Sequence, residues 1–496
     1  MPTIEALKKL DGFHGAQVYL VGGYVRDLIR RKRNYDIDVV VRGIDYSDIR
    51  KFLNAHGKTK LINLTFDVPI ILFKAFRDNI ETQIALPRNR RGEFKPDNTL
   101  RSDASCRDFT INAMYLPINY KSRNDLIDFF GGYRDIKKRI LVPIVDAESR
   151  IKESPIRILR ALSLASRTKY RIRGDIMTAI KKHVDFLKMV PPDLIRKELN
   201  KILINDKPSR YFKIMHKLGI LKIIMPELDM CVGVKQDKRY HKYDVFKHCV
   251  YTCDNIDPDL VLRLAAVLHD IGKPQTRKES GKRVTFYRHE IVSTQLAKDI
   301  LQRLRYDKET TKKVLHLIRL HMYHYVNDVY VCTGNNIGGC NCLWKRLVRQ
   351  TGGELEVCPK CGSSITIHNG WSDAAVRRFI KKAGISRDDL DDLSSFPLFK
   401  LRAAERKGNG FKTIAVTDRQ RDFEERIGEV FGKSRGLEIN DLDIDGSVIM
   451  DLFNIEQSPK VGEILNYLLE KVLSEPKLNN RIELIKLAAE YIYCKT

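Results

Sequence analysis

Hydrophobic and polar positions change period once along the chain, near residue 150. Before it, short apolar runs alternate with amphipathic stretches, which predicts a mixed α/β unit. QVYLVGG (17–23), DIDVVVRG (36–43), VPIILFKAF (68–76) and NIETQIAL (79–86) read as strands. YVRDLIRRKR (24–33) reads as a helix with an exposed basic face. SDIRKFLNAHG (47–57) reads as a second helix, with Ser47 as its N-cap and Gly57 just past its end. LPRNRRGEFKPDNTLRSD (86–103) is polar, basic and turn-rich, the pattern of a flexible loop. After residue 150 strand signals nearly vanish. SPIRILRALSLASRTKY (154–170), PPDLIRKELNKILI (191–204) and SRYFKIMHKLGIL (209–221) carry apolar residues at helical spacing. Residues 243–325 continue helical and rich in histidine, 328–369 break into glycine, cysteine and short strand-like pieces, and helical periodicity resumes at WSDAAVRRFIKKAG (371–384) and runs to the C-terminus.

At 496 residues, about three domains are expected. The N-terminus is polar and no apolar run reaches the roughly 18 residues of a membrane span, which predicts a cytoplasmic protein without a membrane partner. The net charge of +26, from 89 Lys+Arg against 63 Asp+Glu, is spread along the chain and points to a polyanionic partner such as nucleic acid. Ten cysteines in such a chain argue for free thiols or metal rather than disulfides, and five of them fall within 332–361.

The densest chemistry lies in LVGGYVRDLIRRKRNYDIDVVV (20–41). Asp36 and Asp38 are two positions apart, so on a strand they share a face. Two carboxylates side by side repel unless a cation separates them, and Mg²⁺ takes oxygen ligands while leaving positions for substrate phosphates. Gly22 and Gly23 allow backbone N–H groups close to a triphosphate, the helix after them adds its positive end, and Arg26 is expected to touch a phosphate. A diglycine alone reads as a tight turn; diglycine, the Arg26–Asp27 pair and Asp-Ile-Asp in this order read as nucleotidyl transfer with metals on the carboxylates.

These residues resemble the head of the class II tRNA nucleotidyltransferases and the related bacterial poly(A) polymerases. CRDFTINAM (106–114) is similar to the family's ribose-recognition motif, which implies nucleotide contacts at Arg107, Asp108 and Asn112. LIDFFGGYRDI (126–136) matches the segment after it, KESPIRILRALSLA (152–165) the motif that templates the incoming base, and DLIRKELNKIL (193–203) the next helical motif. In the base-templating pattern Glu-Asp-x-x-Arg, the acid accepts from the exocyclic amine of C or A and the arginine donates to the adjacent ring nitrogen. Here the string is Glu153, Ser154, Pro155, Ile156, Arg157, so Ser154 stands where the family has an acid and Arg157 and Arg160 remain as cations. A serine hydroxyl accepts without charge and binds more weakly. The resemblance implies template-independent CCA addition from CTP and ATP, and that departure keeps poly(A) addition, or addition of only A or only CC, as alternatives. Cys106 stands where the family usually has Arg, and Gln83 where the third core strand often has an acid, with Glu81 on the same strand face.

In the middle of the chain, LRLAAVLHDIGKP (262–274) closely resembles the core of the HD phosphohydrolases. The resemblance implies His248, His269, Asp270 and a distal acid, Asp373, as ligands of one divalent ion such as Mn²⁺, Ni²⁺ or Mg²⁺, with His289 and His321 placed for a second. Such a site hydrolyses a phosphomonoester or a cyclic phosphate. IDGSVIMDLFNIEQSPKVGEILNYLLEKVL (444–473) is similar to the helical tail of nucleotidyltransferases that carry an HD domain. Between His321 and Asp373, the pairs Cys340/Cys342 and Cys358/Cys361 have the look of a zinc knuckle, with Cys332 as an alternate ligand. The expected organisation is a nucleotidyltransferase head (1–146), a helical neck and body (147–235), a helical HD domain (236–400, with the zinc-binding insertion at 328–369) and a helical tail (401–496). Its expected partner is tRNA or tRNA-like RNA. A reading of another class, an RNA-binding module with a decayed site, is opposed by the presence of both Asp36 and Asp38.

Overall fold

In a computed structural model the protein is described over residues 1–493, apart from 65–67, 77–79, 90, 282, 333–344, 348–354, 362, 369, 413 and 434–438. It forms two compact units, one of Met1–Asp229 with Ile300–Tyr306, the other of Met230–Asp299 with Asp307–Thr496. Among the described residues no helix is long and apolar enough to cross a membrane.

The first unit opens with α1 (Pro2–Leu10), β1 (Gln17–Val21), α2 (Gly22–Ile29), β2 (Ile37–Arg42), α3 (Tyr46–Asn54), β3 (Gly57–Leu64), β4 (Val68–Ala75) and β5 (Glu81–Ala85). Next come α4 (Leu100–Cys106), β6 (Met114–Pro117), β7 (Ile127–Asp128) and α5 (Gly132–Lys138). The seven strands form one mixed sheet in the order β3-β4-β5-β2-β1-β6-β7, antiparallel except for the β2/β5 pair. Alternation buries one face of the central strands: Val18, Leu20, Val39 and Val41 are closed to solvent. Three local expectations change. The α3 cap is Asp45, whose carboxylate accepts from the Asp48 N–H at 3.0 Å, and not Ser47, which lies within the first turn. Residues 57–64 form β3, paired along its length with β4. The basic loop ends in α4, capped by Thr99, because Leu100 and Ala104 are buried in the core.

The unit continues through β8 (Ile140–Leu141), α6 (Ala147–Glu153), α7 (Arg157–Thr168), β9 (Arg171–Ile172), α8 (Gly174–His183), α9 (Pro192–Leu203), α10 (Ser209–Lys217), α11 (Ile220–Ile224) and α12 (Pro226–Asp229). α7 buries Ile158, Leu159, Ala161, Leu162 and Ala165, and α9 buries Ile195, Leu199 and Ile202, at the spacing the sequence shows.

The second unit holds α13 (Val245–Asp254), α14 (Leu260–Leu268), the short α15 (Lys273–Thr276), a hairpin of β10 (Arg277–Ser280) and β11 (Arg283–Phe286), α16 (His289–Arg303, whose last four residues count with the first unit) and α17 (Lys308–Leu320). The hairpin interrupts a stretch that reads as continuous helix in the sequence. A three-stranded sheet follows, β12 (Val329–Cys332) between β13 (Lys345–Leu347) and β14 (Ile365–His368). The chain ends in α18 (Asp373–Ala383), α19 (Pro397–Gly408), α20 (Asp418–Lys433), α21 (Gly446–Phe453), α22 (Pro459–Ser474) and α23 (Arg481–Tyr493). Packed rings of Tyr323, Phe379, Phe399 and Phe423 occupy the core between α18, α19 and α20.

Candidate functional sites

In the first unit the sheet register places the carboxylates. Val21, the last residue of β1, pairs with Asp38, so the diglycine turn emerges beside that acid. Gly22 has φ +69°, and a Cβ there would lie 2.7 Å from Asp38 Oδ2, so the position requires glycine on both counts. The Gly23 backbone N–H donates to the Asp38 carboxylate at the start of α2. Asp36 lies just outside β2 and is exposed; its backbone N–H donates to Asn34 Oδ1 at 2.9 Å. Burial first, then the Asp36 charge, pushes the Asp38 carboxyl up to about 6. That is the strain a cation between the two acids relieves. Gln83 pairs with Asp38 in the neighbouring strand, and continuing the register sets Glu81 across from Asp36.

Arg26 is not free to touch a phosphate. Its side chain is fully buried, with Nη2 and Nε donating to Asp27 at 2.6 and 2.9 Å and Nη1 donating to Asn112 Oδ1 at 2.8 Å. Asp27 also accepts from Arg30 and Asn34. The pair therefore locks α2 and the turn before Asp36 to the 110–112 segment, and its expected ligand role gives way to a structural one. Arg107 pairs with Asp103 at 2.8 Å and with the Tyr115 hydroxyl at 3.2 Å. Asp108 accepts from its neighbour's backbone N–H (Phe109) at 2.8 Å and pairs with Arg160 at 2.8 Å. Arg160 remains 49% exposed.

The base-templating stretch is arranged unlike its sequence expectation. Ser154 forms the C-cap of α6. Arg157 donates to Glu153 at 2.8 Å and to the carbonyls of Arg150 and Cys106 at 2.8 and 3.1 Å, so its guanidinium clamps α7 to the end of α4. Glu153 accepts from Arg150 as well. A small cavity beside these residues is lined by Asp108, Asn112, Arg160, Arg167, Glu198 and Lys201, the last three of which the sequence does not single out.

In the second unit, His248, His269 and Asp270 bring one ligand atom each within 4.8 Å of one another, and so do Asp270, His289 and His321. Asp270 Oδ2 lies 3.4 Å from His248 Nε2 and 3.2 Å from His269 Nε2; Oδ1 lies 3.0 and 3.6 Å from His289 and His321 Nε2. Three of the imidazoles are oriented by a main-chain carbonyl three residues back: His269 Nδ1 to Ala266 at 2.8 Å, His289 Nδ1 to Phe286 and His321 Nδ1 to Ile318 at 2.7 Å. A carbonyl only accepts, so each Nδ1 carries a proton and each ring turns its Nε2 inward. The Nε2 atoms of His289 and His321 lie 3.3 Å apart, close enough to share one cation. Burial holds His248 down at about 3, in the neutral form that ligates. Lys273, buried in the same run, donates to Asp270 at 2.6 Å and to Gln236 at 2.9 Å.

Asp373 is not in this cluster. It sits at the start of α18 and pairs with Arg426. Besides Asp270, the acid whose charge is felt by His248, His269 and His321 is Glu405 of α19, held well below the usual carboxylate range against burial by Arg402 and those imidazoles. Glu405 lines a cavity beside the cluster together with Arg239, Tyr240, Lys273, Arg402 and Arg406. In sequence Glu405 is an ordinary acid on an amphipathic helix, and nothing marks it.

In the insertion, Cys332, Cys358 and Cys361 form a third cluster, with the Cys332 and Cys361 sulfurs 3.5 Å apart. Cys332 is thus a member and not an alternate. Cys340 and Cys342 lie outside the described residues. Hydrogen bonding to Ser363 first, and to the neighbouring thiols, brings the Cys361 thiol down to about 6.

The poly A polymerase head domain family matches residues 18–142, the family described as the probable RNA and SrmB-binding site of polymerase A matches 169–231, and the HD domain family matches 239–350. The multifunctional CCA protein of Paracidovorax citrulli is 31% identical over 318 residues, 62% of this chain and 73% of that one. Its namesake in Nitrosococcus oceani is 30% identical over 321 residues, covering 62% and 74%. The crystal structure of the Bacillus stearothermophilus CCA-adding enzyme in complex with CTP shares the fold with a TM-score of 0.62 at 15% identity, covering 100% of this chain and 98% of that one.

Proposed function

The chain belongs to the class II tRNA nucleotidyltransferases that carry an HD domain, and we propose that it adds C and A nucleotides from CTP and ATP to the 3′ ends of tRNA without a template. The observation that carries this reading is the β1–β2 register, which sets the Gly22–Gly23 turn and the start of α2 against Asp38. Asp36 and Asp38 would hold Mg²⁺, which when bound activates the RNA 3′-hydroxyl and neutralises the leaving pyrophosphate. The start of α2 would turn its positive end to the triphosphate, and Asp108 and Asn112, hydrogen-bonded to each other, would contact the ribose. The RNA is gripped by shape and phosphates, which suits a chain of net charge +26. Incubation with tRNA lacking its 3′ end and each nucleoside triphosphate singly, then in pairs, is expected to give CCA. Long A tracts, or arrest after two C residues, would replace this reading by poly(A) or CC addition. Unchanged incorporation in Asp36→Ala or Asp38→Ala would remove nucleotidyl transfer at this site altogether.

For the second unit the reading is a metal-dependent phosphohydrolase acting on 2′,3′-cyclic phosphates or phosphomonoesters. His248, His269 and Asp270 would hold one divalent ion and His289 and His321, with Asp270, a second. Support comes from the inward-facing Nε2 atoms and the adjoining basic cavity. Phosphate release from 2′,3′-cyclic nucleotides should require added divalent metal and disappear in His269→Ala. In the insertion, Cys332, Cys358 and Cys361 would bind a structural Zn²⁺, with Cys340 or Cys342 completing the set, and elemental analysis of the purified protein should return one zinc per chain.

A further inference from the structure

We propose that Glu198, on α9, is the carboxylate that accepts from the exocyclic amine of the incoming base, with Arg160 and Arg167 of α7 as the donors beside it. The inference rests on the nucleotidyl-transfer reading and concerns how the same site chooses its nucleotide. C and A share an amine next to a ring nitrogen that accepts; U presents a carbonyl next to an N–H, the reverse polarity. Selecting the first pair takes a fixed acceptor opposite the amine and a donor opposite the ring nitrogen.

The 153–157 stretch does not supply that couple here. Ser154 is uncharged and belongs to the end of α6, and Arg157 is held by Glu153 and two main-chain carbonyls. The couple is present one turn further along. Arg160, Ser163 and Arg167 recur at helical spacing on the α7 face that lines the cavity, with Asp108 and Asn112 at one wall and Glu198 and Lys201 of α9 at the other. Glu198 is only 8% exposed. One of its oxygens accepts from the Ser163 hydroxyl and the other from Lys201 Nζ at 2.8 Å. Each carboxylate oxygen carries a second lone pair, so the group can accept from a further amine without breaking either bond. Arg167 lies within electrostatic reach of both Glu198 and Asp36 and donates no hydrogen bond among the described residues. It therefore has N–H groups to offer in the cavity beside the proposed base reader. The cavity opens beside the ribose motif, where a base must project from its sugar.

The test is the ratio of kcat/KM for CTP to that for UTP, and for ATP to that for GTP, on one truncated tRNA. In Glu198→Gln the amide can turn its NH₂ toward a uracil carbonyl, so the CTP:UTP ratio should fall by about 10- to 100-fold, the discrimination one base-edge contact provides. Glu198→Asp keeps a carboxylate and should retain most of the ratio. A purely structural Glu198 would lower all four nucleotides alike and leave the ratios intact, which would overturn the proposal. It is equally overturned if Ser154→Ala collapses the ratio and Glu198→Gln does not. A wild-type protein that adds no nucleotide to any RNA would overturn the nucleotidyl-transfer reading itself, and this proposal with it.

Discussion

Asp38 shows how one residue couples fold to chemistry. It is held on an interior strand by the Gly23 N–H, beside a second acid, and its carboxyl is pushed up to about 6, above the usual carboxylate range. The sign follows directly. Above pH 6 Asp38 is charged beside Asp36; below it a proton occupies the place a cation would take. Mg²⁺ must displace that proton, so its apparent affinity should fall about tenfold per pH unit below 6 and level off above pH 7. Calorimetric titration of Mg²⁺ into the wild type at pH 5, 6, 7 and 8 measures this. In Asp36→Asn the neighbouring charge is gone, the Asp38 value falls, and the break should move to lower pH while the plateau affinity drops. A wild-type affinity independent of pH between 5 and 7 would contradict the coupling.

At the scale of elements, what holds the site is the fastening of α2. Arg26 and Asp27 are adjacent in sequence, yet their bonds tie the helix to Asn112 and the 30–36 turn to the helix. Removing one partner of a buried pair leaves the other uncompensated, so Arg26→Ala should cost about 3 kcal/mol and lower Tm by roughly 5–10 °C. Arg26→Lys keeps the charge without the planar fork and should recover only part of that. Nucleotide addition by the folded fraction should also drop, since Asn34 and Asp36 lose their reference. The same residue shows where the sequence is legible and where it is not. Chemistry compressed into a short stretch, such as Gly22 to Asp38 or His269 to Lys273, can be read off because a single strand–helix–strand unit or one helical turn brings the groups together. Arg26 reads as a phosphate ligand because burial cannot be seen in a basic, amphipathic run. Asp373 and Glu405 both lie far along the chain from His269, and only tertiary packing decides which acid the imidazoles feel. Residues 277–286 read as helix because a four-residue hairpin strand carries too little alternation to outweigh its helical flanks. Ser47 gave way to Asp45 because either residue type caps, and the choice turns on which side chain meets the Asp48 N–H.

Over the whole molecule, two constellations of acids and bases are each complete within one unit. Asp36, Asp38, Asp108 and Arg160 belong to Met1–Asp229; His248, His269, Asp270, His289 and His321 all fall within the other unit. The first set is carboxylate and arginine suited to Mg²⁺ and a triphosphate; the second is buried imidazole oriented by main-chain carbonyls and suited to a softer divalent ion. Neither set borrows a ligand from the other, so their chemistries should be separable in the full-length chain. His269→Ala should abolish phosphate release from 2′,3′-cyclic nucleotides while leaving the rate of nucleotide addition to truncated tRNA within about twofold, and Asp38→Asn should do the reverse. Because 89 basic residues are distributed along the chain rather than confined to one end, RNA binding should weaken steeply with salt in both variants alike. Filter binding of truncated tRNA between 50 and 200 mM KCl, a range over which about six phosphate contacts would cost roughly a thousandfold in affinity, checks this. A salt slope that changes in His269→Ala would mean that the imidazole cluster takes part in holding the RNA, and that the two activities share a substrate instead of only a chain.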